Sequence, residues 1–212
     1  MTQAIAWPNL GRGLIAILRG VRPPEVVSIV DAIVEEGFEA VEIPLNSPDP
    51  FNSIRLVANE FADRCLIGAG TVLTPRDVDA LAHSGGRLMV SPNVDSNVIA
   101  RANALKLVSM PGVFTASEAL LALSAGASAL KFFPASVLGP AGIAAIRAIL
   151  PPGVVIGAVG GVTEAAFANY AANRVSTFGL ATSLYRPGDA AEDVRGRARA
   201  IVAAYDREFS RR

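Results

Sequence analysis

The chain has 212 residues, of which 51% are hydrophobic and 18% charged, and its formal net charge is zero. That balance supplies one large core and no polycationic surface, so neither nucleic acid nor an anionic membrane is an expected partner. No apolar run reaches the ~18 residues of a membrane span, and the single Cys65 cannot form an internal disulfide.

Residues 1–13 read as a lead-in, irregular or briefly helical around Trp7-Pro8, Gly11 and Gly13. They carry no basic-plus-apolar signal, so a cytoplasmic location is expected. A strict alternation follows. Leu14–Gly20 reads as a strand, and Pro23-Pro24-Glu25 opens a helix through Glu36 that Gly37 stops. Ala40–Leu45 is the second strand, and Asp49-Pro50 opens its helix. Leu66–Val72 is the third, and Thr74-Pro75-Arg76-Asp77 caps a helix ending at Gly85. Leu88–Asn93 and Leu107–Pro111 are the fourth and fifth, with a helix opening at Asp95-Ser96 between them.

Thr115-Ala116-Ser117-Glu118 is a capping box, and its helix stops at Gly126. The sixth strand, Ala129–Pro134, precedes a helix expected to begin near Gly139-Pro140. Val154–Val159 and Val175–Leu180 are the seventh and eighth, and the last helix spans about Ala190 to Glu208. Eight strand-then-helix units without a linker predict a single-domain (β/α)8 TIM barrel over residues 1–212. His83 is expected to face the carbonyl end of its own helix. Arg195, Arg197 and Arg199 read as a solvated helix face. One His and one Cys, far apart, give no zinc site, and no acidic motif supports another metal.

Lysine occurs only at Lys106 and Lys131, and Lys131 lies inside an apolar strand. A buried ammonium needs a counter-charge or a lowered pKa, and a lysine of lowered pKa attacks carbonyl carbon. Side chains alternate along a strand. With Leu130 and Phe132 toward the helices, Lys131 and Phe133 point into the barrel. By the same parity Glu42 faces inward between Val41 and Ile43, as do Ile15, Ile17 and Arg19. Ala69 and Thr71 are expected to share an inward face on the third strand.

Arg19, Glu42, Thr71 and Lys131 then converge at the C-terminal ends of four strands, where barrel enzymes build their sites. Arg19 would lower the Lys131 pKa and Glu42 would raise it. Pro92 and Phe133 would add apolar wall. Gly160-Gly161 after the seventh strand, and Ala181, Thr182 and Ser183 after the eighth, suit a phosphate.

Ile15–Gly20, Glu42–Pro48, Gly68–Val72, Ser91-Pro92-Asn93, Leu130–Pro134 and Val159–Val162 resemble the KDPG/KHG aldolase family in order and spacing. The resemblance implies a cofactor-free class I aldolase acting on a small phosphorylated 2-keto-3-deoxy sugar acid, and a homotrimer. It makes Lys131 the Schiff-base lysine and Glu42 the proton shuttle. Arg19 and Thr71 would hold the carboxylate, Pro92 and Phe133 would shape the pocket, and Gly161, Ala181, Thr182 and Ser183 would bind phosphate. Relatives acting on the gluconate epimer read Thr and Arg-Thr where this chain has Pro44 and Asn46-Ser47, so the galactonate epimer is the expected substrate. The family often has Gly-Ser where Ala181-Thr182 stands. The gluconate epimer and 4-hydroxy-2-oxoglutarate stay open as substrates. A non-covalent phosphosugar isomerase and a non-catalytic sugar-phosphate barrel remain the other readings of the residues.

Overall fold

The computed structural model describes residues 4–209, so residues 1–3 of the lead-in and 210–212 of the expected domain lie outside the described residues. Strand and helix alternate as expected. The first half comprises β1 (Leu14–Ile17), α1 (Pro23–Glu35), β2 (Ala40–Pro44), α2 (Pro50–Phe61), β3 (Leu66–Gly70), α3 (Pro75–His83), β4 (Leu88–Val90) and α4 (Ser96–Ala104). The second half comprises β5 (Val108–Met110), β6 (Gly112–Val113), α5 (Ala116–Ser124), β7 (Leu130–Phe132), α6 (Ala135–Arg147), β8 (Ile156–Val159), α7 (Phe167–Ala172), β9 (Thr177–Leu180) and α8 (Ala191–Phe209). A short 3-10 turn, Glu164–Ala166, leads into α7.

The nine strands are parallel, in the order β5-β4-β3-β2-β1-β9-β8-β7-β6. The extra strand, β6, lies just beyond the expected end of the fifth strand, separated from β5 by Pro111, which has no N–H to donate. β5 pairs with β4, and β6 pairs with β7. Ser128 and Ala129 N–H both donate to Ser109 O at 3.0 Å, and Lys131 N–H donates to Pro111 O at 2.9 Å. The barrel is therefore closed, and its eight units match the expected architecture.

Local chemistry explains most boundaries. Pro opens α1, α2 and α3, where the first helical N–H groups have no partner anyway. Thr74 with Asp77, and Thr115 with Glu118, form reciprocal capping boxes. Asp95 accepts from Asn97 and Val98 N–H at the start of α4. The helix after β7 starts earlier than expected: α6 begins at Ala135. Gly139 (φ 71°) then breaks it, and Pro140 restarts it. The sequence signal at Gly139-Pro140 marks a kink, not a start.

Side chains on the outer faces of the strands, including Leu14, Val41, Ile43, Leu130, Phe132 and Phe178, pack against the helices in one large cluster. A smaller cluster of Ile15, Ala40, Leu88, Val90, Val108, Met110 and Ala129 fills the barrel interior, with Trp7 and Leu10 of the lead-in packed against it. Ala69 belongs to the outer cluster, which corrects the inward face expected for it. Gly68 and Gly70 turn inward instead. A β-carbon on Gly68 would strike Leu88, and one on Gly70 would strike the Glu42 carboxylate.

Ion pairs tie the ring together. Arg199 holds Glu36 through two bonds of 3.0 and 2.8 Å, and Arg197 pairs with Asp189. Arg195 and Arg199 thus reach from α8 to Glu36 at the end of α1, while Arg197 binds the loop before α8; Arg199 stays exposed as expected, and Arg195 and Arg197 are half-buried. Arg12 meets Asp206 through two 2.8 Å bonds, and the Tyr205 hydroxyl accepts from Gly13 N–H. His83 Nδ1 lies 2.7 Å from Asp79 O, one turn back on its own helix, as its position implied. No helix among the described residues is long and apolar enough to cross a membrane.

Candidate active site

Lys131 sits in β7, in register with Gly112 of β6 and Gly157 of β8. Its flanking residues Leu130 and Phe132 fill the outer cluster, so the lysine turns inward and is only 7% exposed. Burial holds its pKa below the ordinary lysine range; Glu42 opposes that shift and Arg19 adds to it. Its Nζ lies 5.0 Å from the centroid of the Phe133 ring. Phe133 is partly exposed and abuts Gly160, where a β-carbon would come within 3.0 Å of the ring.

Glu42 enters from β2, between Ile17 of β1 and Gly68 of β3 in register. It is 2% exposed, and its Oε2 is buried with no hydrogen-bond partner in the protein. Burial raises its pKa above the usual carboxylate value, against the pull of Lys131 and Arg19. Both shifts act in one direction chemically. They bring the pair toward a neutral amine beside a neutral carboxylic acid. A neutral amine attacks a ketone, and a carboxylic acid can protonate the hydroxyl that must leave.

The strands are shorter than their apolar runs, so four expected residues lie just past strand ends. Arg19 follows β1 on the exposed rim, where its Nη1 donates to Asn46 Oδ1. Its charge acts on both Glu42 and Lys131. Thr71 follows β3 in the left-handed region (φ 57°), so strand alternation no longer sets its direction. Phe133 follows β7. Pro92 follows β4, and its carbonyl packs against Gly112 next to Lys131 in the register.

Beyond Phe133 lies a cavity of about 230 Å³ lined by Gly160, Gly161, Thr163, Ala181, Thr182 and Ser183, among others. Gly160 (φ 90°) and Gly161 (φ 73°) both take the positive φ that favours glycine, so this stretch of backbone borders the cavity without side chains. Ser183 Oγ is buried there without a partner. Arg186 also lines the cavity, and its Nε donates to Thr182 O at 3.2 Å. Sequence reasoning missed Arg186. Its place four residues after Thr182, in the same loop, was the available signal.

A larger cavity of about 440 Å³, bordered by Trp7, Asn9, Arg147 and Arg174, opens at the opposite, N-terminal ends of the strands. No lysine or buried carboxylate faces it, so the surroundings of Lys131 are the stronger candidate. Among the described residues no three His, Cys, Asp or Glu side chains gather as a metal site.

The family model for KDPG and KHG aldolases matches residues 11–190. The chain belongs to that family. The aldolase is 60% identical over 202 residues to a protein of Rhizobium meliloti (strain 1021) named probable 2-dehydro-3-deoxy-6-phosphogalactonate aldolase, covering 95% of each chain. It is 48% identical over 192 residues to the 2-dehydro-3-deoxy-6-phosphogalactonate aldolase of Escherichia coli (strain K12), covering 91% of this chain and 94% of that one. A solved structure described as native KDPGal superposes with a TM-score of 0.94 at 45% identity, covering 97% of this aldolase and 99% of that chain.

Proposed function

We propose that this aldolase cleaves 2-dehydro-3-deoxy-6-phosphogalactonate to pyruvate and D-glyceraldehyde 3-phosphate through a Schiff base on Lys131. The observation that carries this reading is the buried Lys131 at the C-terminal end of the barrel, with Glu42 beside it holding an unpartnered oxygen.

Lys131 Nζ attacks the C2 ketone and forms a carbinolamine. Glu42 protonates the C2 hydroxyl, water leaves, and an iminium remains. The C3–C4 bond then breaks. Its electron pair moves toward the iminium nitrogen to give an enamine, while the C4 hydroxyl proton passes to the Glu42 carboxylate. Glyceraldehyde 3-phosphate departs, the enamine is protonated at C3, and water hydrolyses the iminium to pyruvate and free Lys131. Arg19 and Thr71 hold the substrate carboxylate, for which the planar guanidinium fork is suited. Pro92 and Phe133 shape the pocket wall. Gly160, Gly161, Ala181, Thr182 and Ser183 take the phosphate, with Arg186 supplying a positive charge.

Pro44 and Asn46-Ser47 favour the galactonate over the gluconate epimer, in line with the names of the two curated relatives. We also infer a cytoplasmic homotrimer. Phe114, Leu120 and Leu121, exposed on and just before α5, offer apolar surface for assembly.

Borohydride trapping with pyruvate, followed by peptide mapping, tests the chemistry. A pyruvyl adduct on Lys131 is expected; an adduct on Lys106, or none, overturns the reading. Assaying both epimers side by side tests the substrate, and sedimentation analysis tests the trimer.

A further inference from the structure

Arg19 reaches the site from an exposed loop, yet two bonds from one neighbouring turn restrain it. The Arg19 guanidinium donates to Asn46 Oδ1, and the next backbone N–H, of Gly20, donates to Ser47 Oγ at 2.9 Å. Ser47 is 6% exposed, and its own N–H donates to Pro44 O at 2.9 Å, which folds the chain into a tight turn after β2. Leu45 N–H anchors that turn to Gly70 O of β3 at 2.8 Å. Gly20 takes φ +85°, and a β-carbon there would meet Pro187 at 2.7 Å, so the loop after β9 closes on its other side. The backbone beneath Arg19 is thus held by Ser47 and Pro187, and the head of its side chain by Asn46.

A free arginine side chain samples many rotamers, and binding must freeze them. One held beforehand loses less on meeting its ligand. With one of its five N–H groups engaged by Asn46, the guanidinium keeps four for a substrate carboxylate.

We propose that Asn46 and Ser47 are positioning residues that preset Arg19 for the carboxylate of the 2-oxo acid. Asn46 orients the guanidinium and Ser47 fixes the backbone that bears it. The proposal rests on the reading of Arg19 as the carboxylate holder.

Borohydride trapping on the full chain separates the two. Pyruvate is compared with pyruvamide, which keeps the ketone and lacks the carboxylate charge. Asn46→Ala is expected to raise the half-saturating pyruvate concentration about tenfold, the scale of ordering one long side chain. The pyruvamide value should stay unchanged, and Ser47→Ala should act the same way. In an Arg19→Ala background, Asn46→Ala should add nothing further. Asn46 is exposed, so its truncation is compatible with folding. Unchanged pyruvate saturation in Asn46→Ala, or equal losses for pyruvate and pyruvamide, overturns the positioning role while leaving Arg19 intact as ligand. If Arg19→Ala itself leaves pyruvate and pyruvamide equally affected, the carboxylate assignment falls and the positioning role falls with it.

Discussion

Glu42 Oε2 occupies the volume that a side chain on Gly70 would need: a β-carbon there would lie 1.5 Å from that oxygen. Gly70 is two residues beyond Gly68, the register partner of Glu42 on β3. The carboxylate therefore lies across the end of the neighbouring strand. Gly70→Ala should displace Glu42 from Lys131 and cost about 1–3 kcal/mol of stability from overpacking. A fall in kcat of about a hundredfold or more, on the scale of general acid–base catalysis, is expected alongside a lower Tm. Unchanged kcat would mean that the position of Glu42 is not critical.

The pH profile follows from the two shifted groups. In the proposed mechanism attack needs neutral Lys131, so activity should rise with pH through the lowered lysine pKa. Dehydration needs protonated Glu42, so activity falls with pH as that raised carboxyl ionises. The product is a bell whose limbs belong to the pair together. Arg19 lowers both values, so Arg19→Gln should move both limbs to higher pH. Measuring kcat/KM against pH for the two proteins, which reports the free enzyme's groups, checks the direction.

Replacing Lys131 by Met should abolish turnover and leave a folded barrel. At low pH the wild-type chain buries an ammonium that the variant lacks, so the variant should melt higher. The wild-type penalty is present below the lowered folded pKa and disappears as pH rises toward the unfolded lysine value. In the variant, Glu42 loses its cationic neighbour and ionises at greater cost as pH rises. Both effects shrink the advantage with rising pH. Tm measured across pH should show that slope; a constant difference would contradict it.

Arg186→Gln removes a positive charge from the cavity beyond Phe133. A charge-assisted bond to phosphate corresponds to about tenfold or more in kcat/KM. That loss should appear with the 6-phosphorylated substrate and be absent with its unphosphorylated analogue. Equal losses on both would remove Arg186 from the phosphate end.

The inward lysine was legible because β7 has large apolar neighbours on both sides of Lys131, which leaves alternation no other choice. Glu42 between Val41 and Ile43 follows the same logic. Ala69 did not, since alanine and glycine alternate in Leu66–Gly70 and neither is large enough to declare a face. The inward space was needed for Glu42, a requirement imposed by a different strand. Arg19 and Thr71 lie past the ends of their strands, where periodicity stops and only tertiary bonds set direction. Asn46 and Ser47 drew notice as departures from relatives, but their bonds to Arg19 and Gly20 join units 27 residues apart. The short strand after Pro111 was hidden for a similar reason. A proline ends a ladder, yet which strands pair on either side depends on closure of the whole ring.

The bonds from Arg12 to Asp206 bring the lead-in and the last helix together beside the N-terminal ends of the strands, on the side of the barrel away from Lys131. A carrier protein, tag or resin linker attached near either end would stand clear of the substrate's route to the chamber. Immobilisation through that side should therefore preserve turnover, whereas coupling across the rim that holds Arg19 should block it.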